Sequence, residues 1–187
     1  MRLIWLIFGG LLAALGAGGG LFRHPAAPAT QPTSSAAPVT TGAERHPAPA
    51  AAGPSRADSL VRFALAQLGS SYCYAGTSPG TGFDCSGFVW YVFNRFGVAT
   101  PHATALLIGV GRPVARAQAR PGDIVVFTGT APGSTTPGHA GIVISTAGET
   151  PLRFVHASSA RRESGVKISQ VENSGYEQRF LQVRRVL

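Results

Sequence analysis

Between residues 24 and 55 the chain carries seven of its fourteen prolines, mixed with alanine, threonine and serine. Proline has no backbone N–H to give a helix or a sheet ladder, and this composition offers little apolar surface to bury. The segment reads as a semi-extended linker, able to span roughly 100 Å at about 3.1 Å per residue in polyproline geometry. Any packed domain is therefore confined to residues 56–187. His24 and His46 fall outside it and are expected to be inert.

Residues 3–22 form an apolar run behind Arg2, with ten Leu, Ile or Phe. Each contributes about −0.5 kcal/mol towards membrane insertion, while the many glycines weaken the helix. The length fits a membrane span, with Arg23 able to snorkel at its edge. It equally fits a secretory signal whose cleavage site is Ala27-Pro28-Ala29. Residues 1–23 thus read as a signal peptide or a membrane anchor, and both place the remainder outside the cytoplasm, in contact with membrane only if residues 3–22 are retained.

Net charge is +8, from 16 basic against 8 acidic residues, and Lys167 is the single lysine. Such a balance suits anionic surroundings such as a phospholipid surface or an acidic wall. No basic run interleaved with aromatics appears, so a nucleic-acid partner is not expected. Two cysteines, Cys73 and Cys85, are too few for a disulfide scaffold. A Cys73–Cys85 bridge is conceivable, but Cys73 reads as a free thiol.

Within residues 56–187 the helical signals come first. Ser55-Arg56-Ala57-Asp58 matches a capping box, and Leu60, Ala64 and Leu68 make one helical face ending at Gly69. A short extended piece around Tyr72 and a glycine-rich loop follow. Asp84 then caps a second helix with Phe88, Val89, Val92, Phe93 and Phe96 at helical spacing, closed by Gly97. After a short helical stretch beyond Pro101, Arg120-Pro121-Gly122-Asp123 signals a turn into a buried strand, Ile124 to Phe127. Further strands are expected at 139–145, 150–157, 165–170 and 179–186. Helices first and consecutive strands afterwards indicate an α+β fold with helices packed on an antiparallel sheet.

The chemistry centres on Gly82-Phe83-Asp84-Cys85-Ser86-Gly87-Phe88. Cys85 falls in the first turn of a helix, where unpaired N–H groups and the positive dipole end favour thiolate. A buried structural cysteine is the competing reading. His139 and His156 bear on the choice. If 139–145 and 150–157 form a hairpin with Ser145 opposite Thr150, the two histidines are directly opposed on one face, with Cβ atoms about 5 Å apart. His102 has no such partner and reads as a loop residue. One thiol and two imidazoles suit a nucleophile, a base and an orienting group, or a three-ligand zinc site with an open position. The helix-start position, which supplies N–H groups for an oxyanion, favours the nucleophile with no metal or other cofactor.

These residues resemble the NlpC-type cell-wall cysteine peptidases, a papain-like group. The resemblance runs over about Ala57 to Leu187. Its pieces are Tyr72 with Ala75-Gly76, Phe83 to Phe88, Pro121-Gly122-Asp123-Ile124-Val125, His139-Ala140-Gly141-Ile142, Phe154-Val155-His156-Ala157-Ser158 and Arg185-Val186-Leu187, all in the family's order. It implies Cys85 as nucleophile, His139 as base and His156 as orienting residue. Tyr72 would lie near the thiol, with Asp84 and Ser86 as supporting or oxyanion residues. It also implies peptidoglycan as the partner, cleaved between D-glutamate and the diamino acid of the stem peptide by an exported, monomeric enzyme of the bacterial envelope. His102 stands where the family often has Arg, Leu107 replaces a frequent Gln and Ala75 a Gly, and the loop 128–138 is long. A thiol amidase or acyltransferase on the same scaffold, or a non-catalytic wall-binding module, are the alternatives.

Overall fold

A computed structural model describes residues 53–187 of the chain. The signal or anchor expected at 1–23 and all but the last few residues of the linker expected at 24–55 lie outside the described residues. No helix among the described residues is long and apolar enough to cross a membrane.

The first helix, α1 (Arg56–Leu65), starts at the expected capping box: Ser55 accepts from the Asp58 amide and Asp58 reaches back to the Ser55 amide. It ends a turn earlier than its apolar spacing suggests. Gln67 and Leu68 bond three residues back in place of four, so the chain tightens and Leu68 turns out to solvent. The stretch read as a glycine-rich loop holds a small hairpin, β1 (Thr77–Ser78) with β2 (Gly82–Phe83), and Tyr72 bridges Phe83 beside it. The second helix, α2 (Cys85–Arg95), buries Phe88, Val89, Val92 and Phe93 and is followed by Gly97 at φ +66°, as its spacing predicts. A short α3 (Thr104–Leu107) comes next.

Six strands then make one antiparallel sheet: β3 (Arg112–Val114), β4 (Ile124–Thr128), β5 (Pro137–Val143), β6 (Arg153–Ser158), β7 (Gly165–Gln170) and β8 (Phe180–Arg185). Their order across the sheet is β3-β8-β4-β5-β6-β7. A one-turn helix, α4 (Gly175–Arg179), leads into β8. The α+β expectation holds. The short elements β1, β2, β3 and α4 have no counterpart in the sequence reading, being too short to show a period.

The central strands alternate between two cores. Val126, Ala140, Ile142, Val155 and Ala157 face α1 and α2. Val125, Phe127, Val143, Phe154 and Val183 form a second cluster on the other face. Asp123 ties the sheet together. It is 2% exposed and takes a two-pronged ion pair from Arg185, at 2.8 and 2.7 Å, together with the Arg120 amide.

Hairpin β5–β6 departs from the expected register. Ile142 pairs with Val155 and Val143 with Phe154, two residues off the pairing that would set Ser145 against Thr150. Pro151 has no N–H to pair. Ser145 instead takes the Arg153 amide on its hydroxyl, which donates to the Pro151 carbonyl, so the strands end early. A slip of two keeps every side chain on its face. His139 and His156 are therefore diagonal neighbours rather than directly opposed.

Candidate active site

Asp84 is the anchor of the site. Its carboxylate accepts the Gly87 amide at 2.6 Å and the Ser86 hydroxyl at 3.1 Å, which fixes the first turn of α2 and points Cys85 outward at its start. The same carboxylate meets His102 Nε2 at 3.1 Å, so His102, read as a lone loop residue, has a partner. The sequence gives Asp84 a helix cap and a supporting place beside the thiol, and nothing in it ties Asp84 to a residue 18 positions on. Gly87 makes the packing possible: a Cβ there would sit 2.1 Å from the Gly76 carbonyl oxygen.

Cys85 and Cys73 are both free thiols. Cys85 Sγ lies 3.4 Å from the Thr104 hydroxyl. Two adjoining clefts meet at this thiol, sharing Tyr72, Cys85 and Gly138. One, of about 220 Å³, continues to His139, Tyr176 and Arg179. The other, of about 460 Å³, continues to Asp84, His102 and Thr104. Cys85 and His139 thus share a cavity without a direct hydrogen bond, an arrangement that substrate commonly tightens. Burial raises the Tyr72 hydroxyl pKa, with the Cys85 and Asp84 charges adding to it, so the phenol stays protonated beside the thiol.

The two histidines come together although the predicted register fails. His139 Nε2 and His156 Nδ1 are 2.8 Å apart, with the rings at 90°. His156 is fully buried and its Nε2 lies 2.9 Å from the Ser169 hydroxyl. The Tyr176 ring stacks on His139 at 5.7 Å, and Phe127 and Phe154 close the apolar surround. Burial pushes both imidazoles below their usual range. At His139 the Arg179 and Lys167 charges add to it; at His156 His139 itself does. Both rings are therefore neutral at neutral pH.

A zinc site needs both imidazoles to aim lone pairs at one point. Here one nitrogen of each ring is spent on the other, and the second nitrogen of His156 on Ser169. Among the described residues no three His, Cys, Asp or Glu are grouped as a metal site.

Sequence reasoning missed Thr104, Ser169, Tyr176 and Arg179. Arg179 bonds the Thr128 and Gly175 carbonyls and lies over Tyr176 at 4.7 Å, with no acidic partner among the described residues. Its position at the end of a five-residue helix left no periodic signal. Ser169 sits in an alternating strand, where a serine carries no signal either.

The family model for the NlpC/P60 family matches residues 69–185. The chain belongs to the NlpC/P60 family. Among the relatives it resembles is the gamma-DL-glutamyl hydrolase of Bacillus subtilis, 35% identical over 137 residues, which are 72% of this chain and 31% of the relative. The murein DD-endopeptidase/murein LD-carboxypeptidase of Escherichia coli is 37% identical over 113 residues, 60% of this chain and 54% of that one. A crystal structure of an NlpC/P60 family protein from Bacillus cereus superposes with a TM-score of 0.61 at 28% identity, covering 72% of this chain and 41% of that chain. The papain-like α+β expectation is thereby met. The matched part of the curated relatives is between 20% and 54% of their length.

Proposed function

We propose that this chain is an exported peptidoglycan hydrolase, a cysteine endopeptidase that cleaves stem peptides between D-glutamate and the diamino acid. The observation that carries the reading is the shared cavity of Cys85 and His139, with His139 held at 2.8 Å by His156. Relatives named as a glutamyl hydrolase and a murein endopeptidase support the substrate class.

In this reading His139 takes the Cys85 proton, and the thiolate adds to the carbonyl carbon of the scissile amide. The oxyanion faces the Cys85 and Ser86 amides, which precede the first bonds of α2. The Ser86 hydroxyl is committed to Asp84, so any oxyanion contact from Ser86 is its amide. The His139 imidazolium then protonates the leaving amine as the C–N bond breaks, leaving a thioester on Cys85. Water, deprotonated by His139, displaces the thiolate and completes the hydrolysis. Arg179 is the one cation lining the cavity that holds Cys85 and His139, and it suits a substrate rich in free carboxylates. Residues 3–22 deliver the domain to the envelope as signal or anchor, and the basic surface suits an acidic wall.

The test is release of soluble fragments from purified sacculi. Release should need reductant, fall to zero on alkylation with iodoacetamide and survive a zinc chelator. Chelator-sensitive, alkylation-resistant release would reject cysteine chemistry. If product appears only when an added amine acceptor is present, the acyltransferase alternative replaces hydrolysis.

A further inference from the structure

His139, His156 and Ser169 form a diagonal row across three adjacent strands on one face of the sheet. His156 is paired with Lys167 on β7, and continuing the β5–β6 register sets it against Gly141. His139 lies two residues from Gly141 on β5, and Ser169 two residues from Lys167 on β7. Each step therefore crosses one strand and moves two residues along, and the polar atoms are 2.8 and 2.9 Å apart. Gly141 keeps the row close: a Cβ there would meet Phe154 at 2.6 Å and His156 Cβ at 3.0 Å.

We propose that Ser169 is a positioning residue: its hydroxyl oxygen accepts the His156 Nε2–H and so holds His156 in the tautomer whose Nδ1 accepts from His139 Nε2–H. This rests on the peptidase reading, in which His139 must offer a bare Nδ1 to the thiol. A neutral imidazole carries one proton. If His139 keeps it on Nε2, the lone pair of Nδ1 is free for the Cys85 proton. That requires a bare Nδ1 on His156, and hence a proton on His156 Nε2. In the opposite tautomer His156 donates from Nδ1, His139 Nε2 becomes the acceptor, and the His139 proton sits on the nitrogen meant to act as base. The two states differ only in where two protons lie, so the acceptor at the far end of the row decides between them.

Ser169 can take that part because of where its own proton goes. Its side chain is partly exposed and lines an open cleft of about 330 Å³ that Cys85 does not line, with Gln170, Ser174 and Tyr176. The hydroxyl proton can point to solvent there, leaving an oxygen lone pair for His156. Without the hydroxyl, the fully buried His156 would carry an unpartnered N–H. Moving its proton to Nδ1 exchanges that unpartnered donor for a bare nitrogen and switches His139 off.

The experiment compares Ser169→Thr with Ser169→Val, a pair matched in shape, both well suited to a strand and differing in the hydroxyl. Ser169→Val should lower kcat about tenfold or more with KM unchanged, and Ser169→Thr should stay within about threefold of wild type. Ring-nitrogen NMR of the substrate-free, 15N-labelled protein should show His156 protonated at Nε2 in wild type and Ser169→Thr, and at Nδ1 in Ser169→Val. Wild-type His156 protonated at Nδ1, or a Val variant with unchanged tautomer and unchanged turnover per folded molecule, overturns the proposal. A wild-type protein that opens no peptidoglycan would sink the functional reading alone, since the NMR comparison needs no substrate.

Discussion

Replacing Gly87 by alanine sets two effects of opposite sign against each other. Gly87 is the third residue of α2, and helix propensity alone favours alanine there by about 1 kcal/mol. The built Cβ would lie 2.1 Å from the Gly76 carbonyl oxygen, 3.0 Å from His102 Nε2 and 3.1 Å from Asp84 Oδ1. Real Cβ contacts stay beyond 3.0 Å, so the helix start and the 73–76 turn must part by roughly 1 Å. That turn cannot retreat cheaply. The Gly76 carbonyl accepts the Asp84 amide at 3.0 Å, and the Gly76 amide bonds the Cys73 carbonyl at 3.0 Å. Overpacking of this kind costs about 1–3 kcal/mol and a stretched buried hydrogen bond about 1 kcal/mol more. The net expectation is destabilisation by about 1–3 kcal/mol. Cys85, two residues away, shifts with the helix start, and a misplacement of about 1 Å is worth up to a hundredfold in turnover. Denaturant unfolding gives the first quantity, and turnover per folded molecule gives the second. A Gly87→Ala protein as stable as wild type, with unchanged turnover, would refute the packing argument.

Asp123→Ala should cost about 3–5 kcal/mol in denaturant unfolding, because it strands the Arg185 guanidinium in a buried site; a loss below about 1 kcal/mol would show that solvent takes over the pairing. Stability should also fall as pH drops from about 6.5 through about 4, since His139 is pushed down to about 4 and the unfolded chain then binds protons that the fold refuses. His139→Gln should flatten that slope in unfolding measured against pH, and an unchanged slope would mean that His139 is not held neutral. For turnover, His139→Gln should lose about 10²–10⁴-fold, since an amide cannot exchange a proton with the thiol. His156→Gln should retain measurable activity and His156→Ala less, because an amide oxygen can still accept from His139; the reverse ranking would exchange the two roles.

Much of this architecture is legible in the residues because it rests on local signals. The capping box at Ser55, the Asp84 cap, the Gly97 stop and the strand 165–170 all follow from short-range rules, and each is where those rules put it. The meeting of His139 and His156 was legible for a looser reason. A strand's side chains repeat every two residues, so a register wrong by two still sets both rings on one face. What stayed hidden is long-range. His102 joins Asp84 across 18 positions, Arg185 joins Asp123 across 62, and Ser169 joins His156 through a third strand. Arg179 enters the cavity from a helix too short to show a period. Such contacts are fixed by the sheet's order, which no local pattern encodes.

The central claim is that Cys85 opens peptide bonds of peptidoglycan through the His139–His156 pair. Mass spectrometry of muropeptides after digestion of purified sacculi tests it most directly, with the full chain and its Cys85→Ala variant side by side. The wild type should generate fragments ending at D-glutamate together with partners bearing a new amine on the diamino acid, and the variant should generate neither. Absence of such fragments from every peptidoglycan type tried, or equal release by Cys85→Ala, would contradict the account.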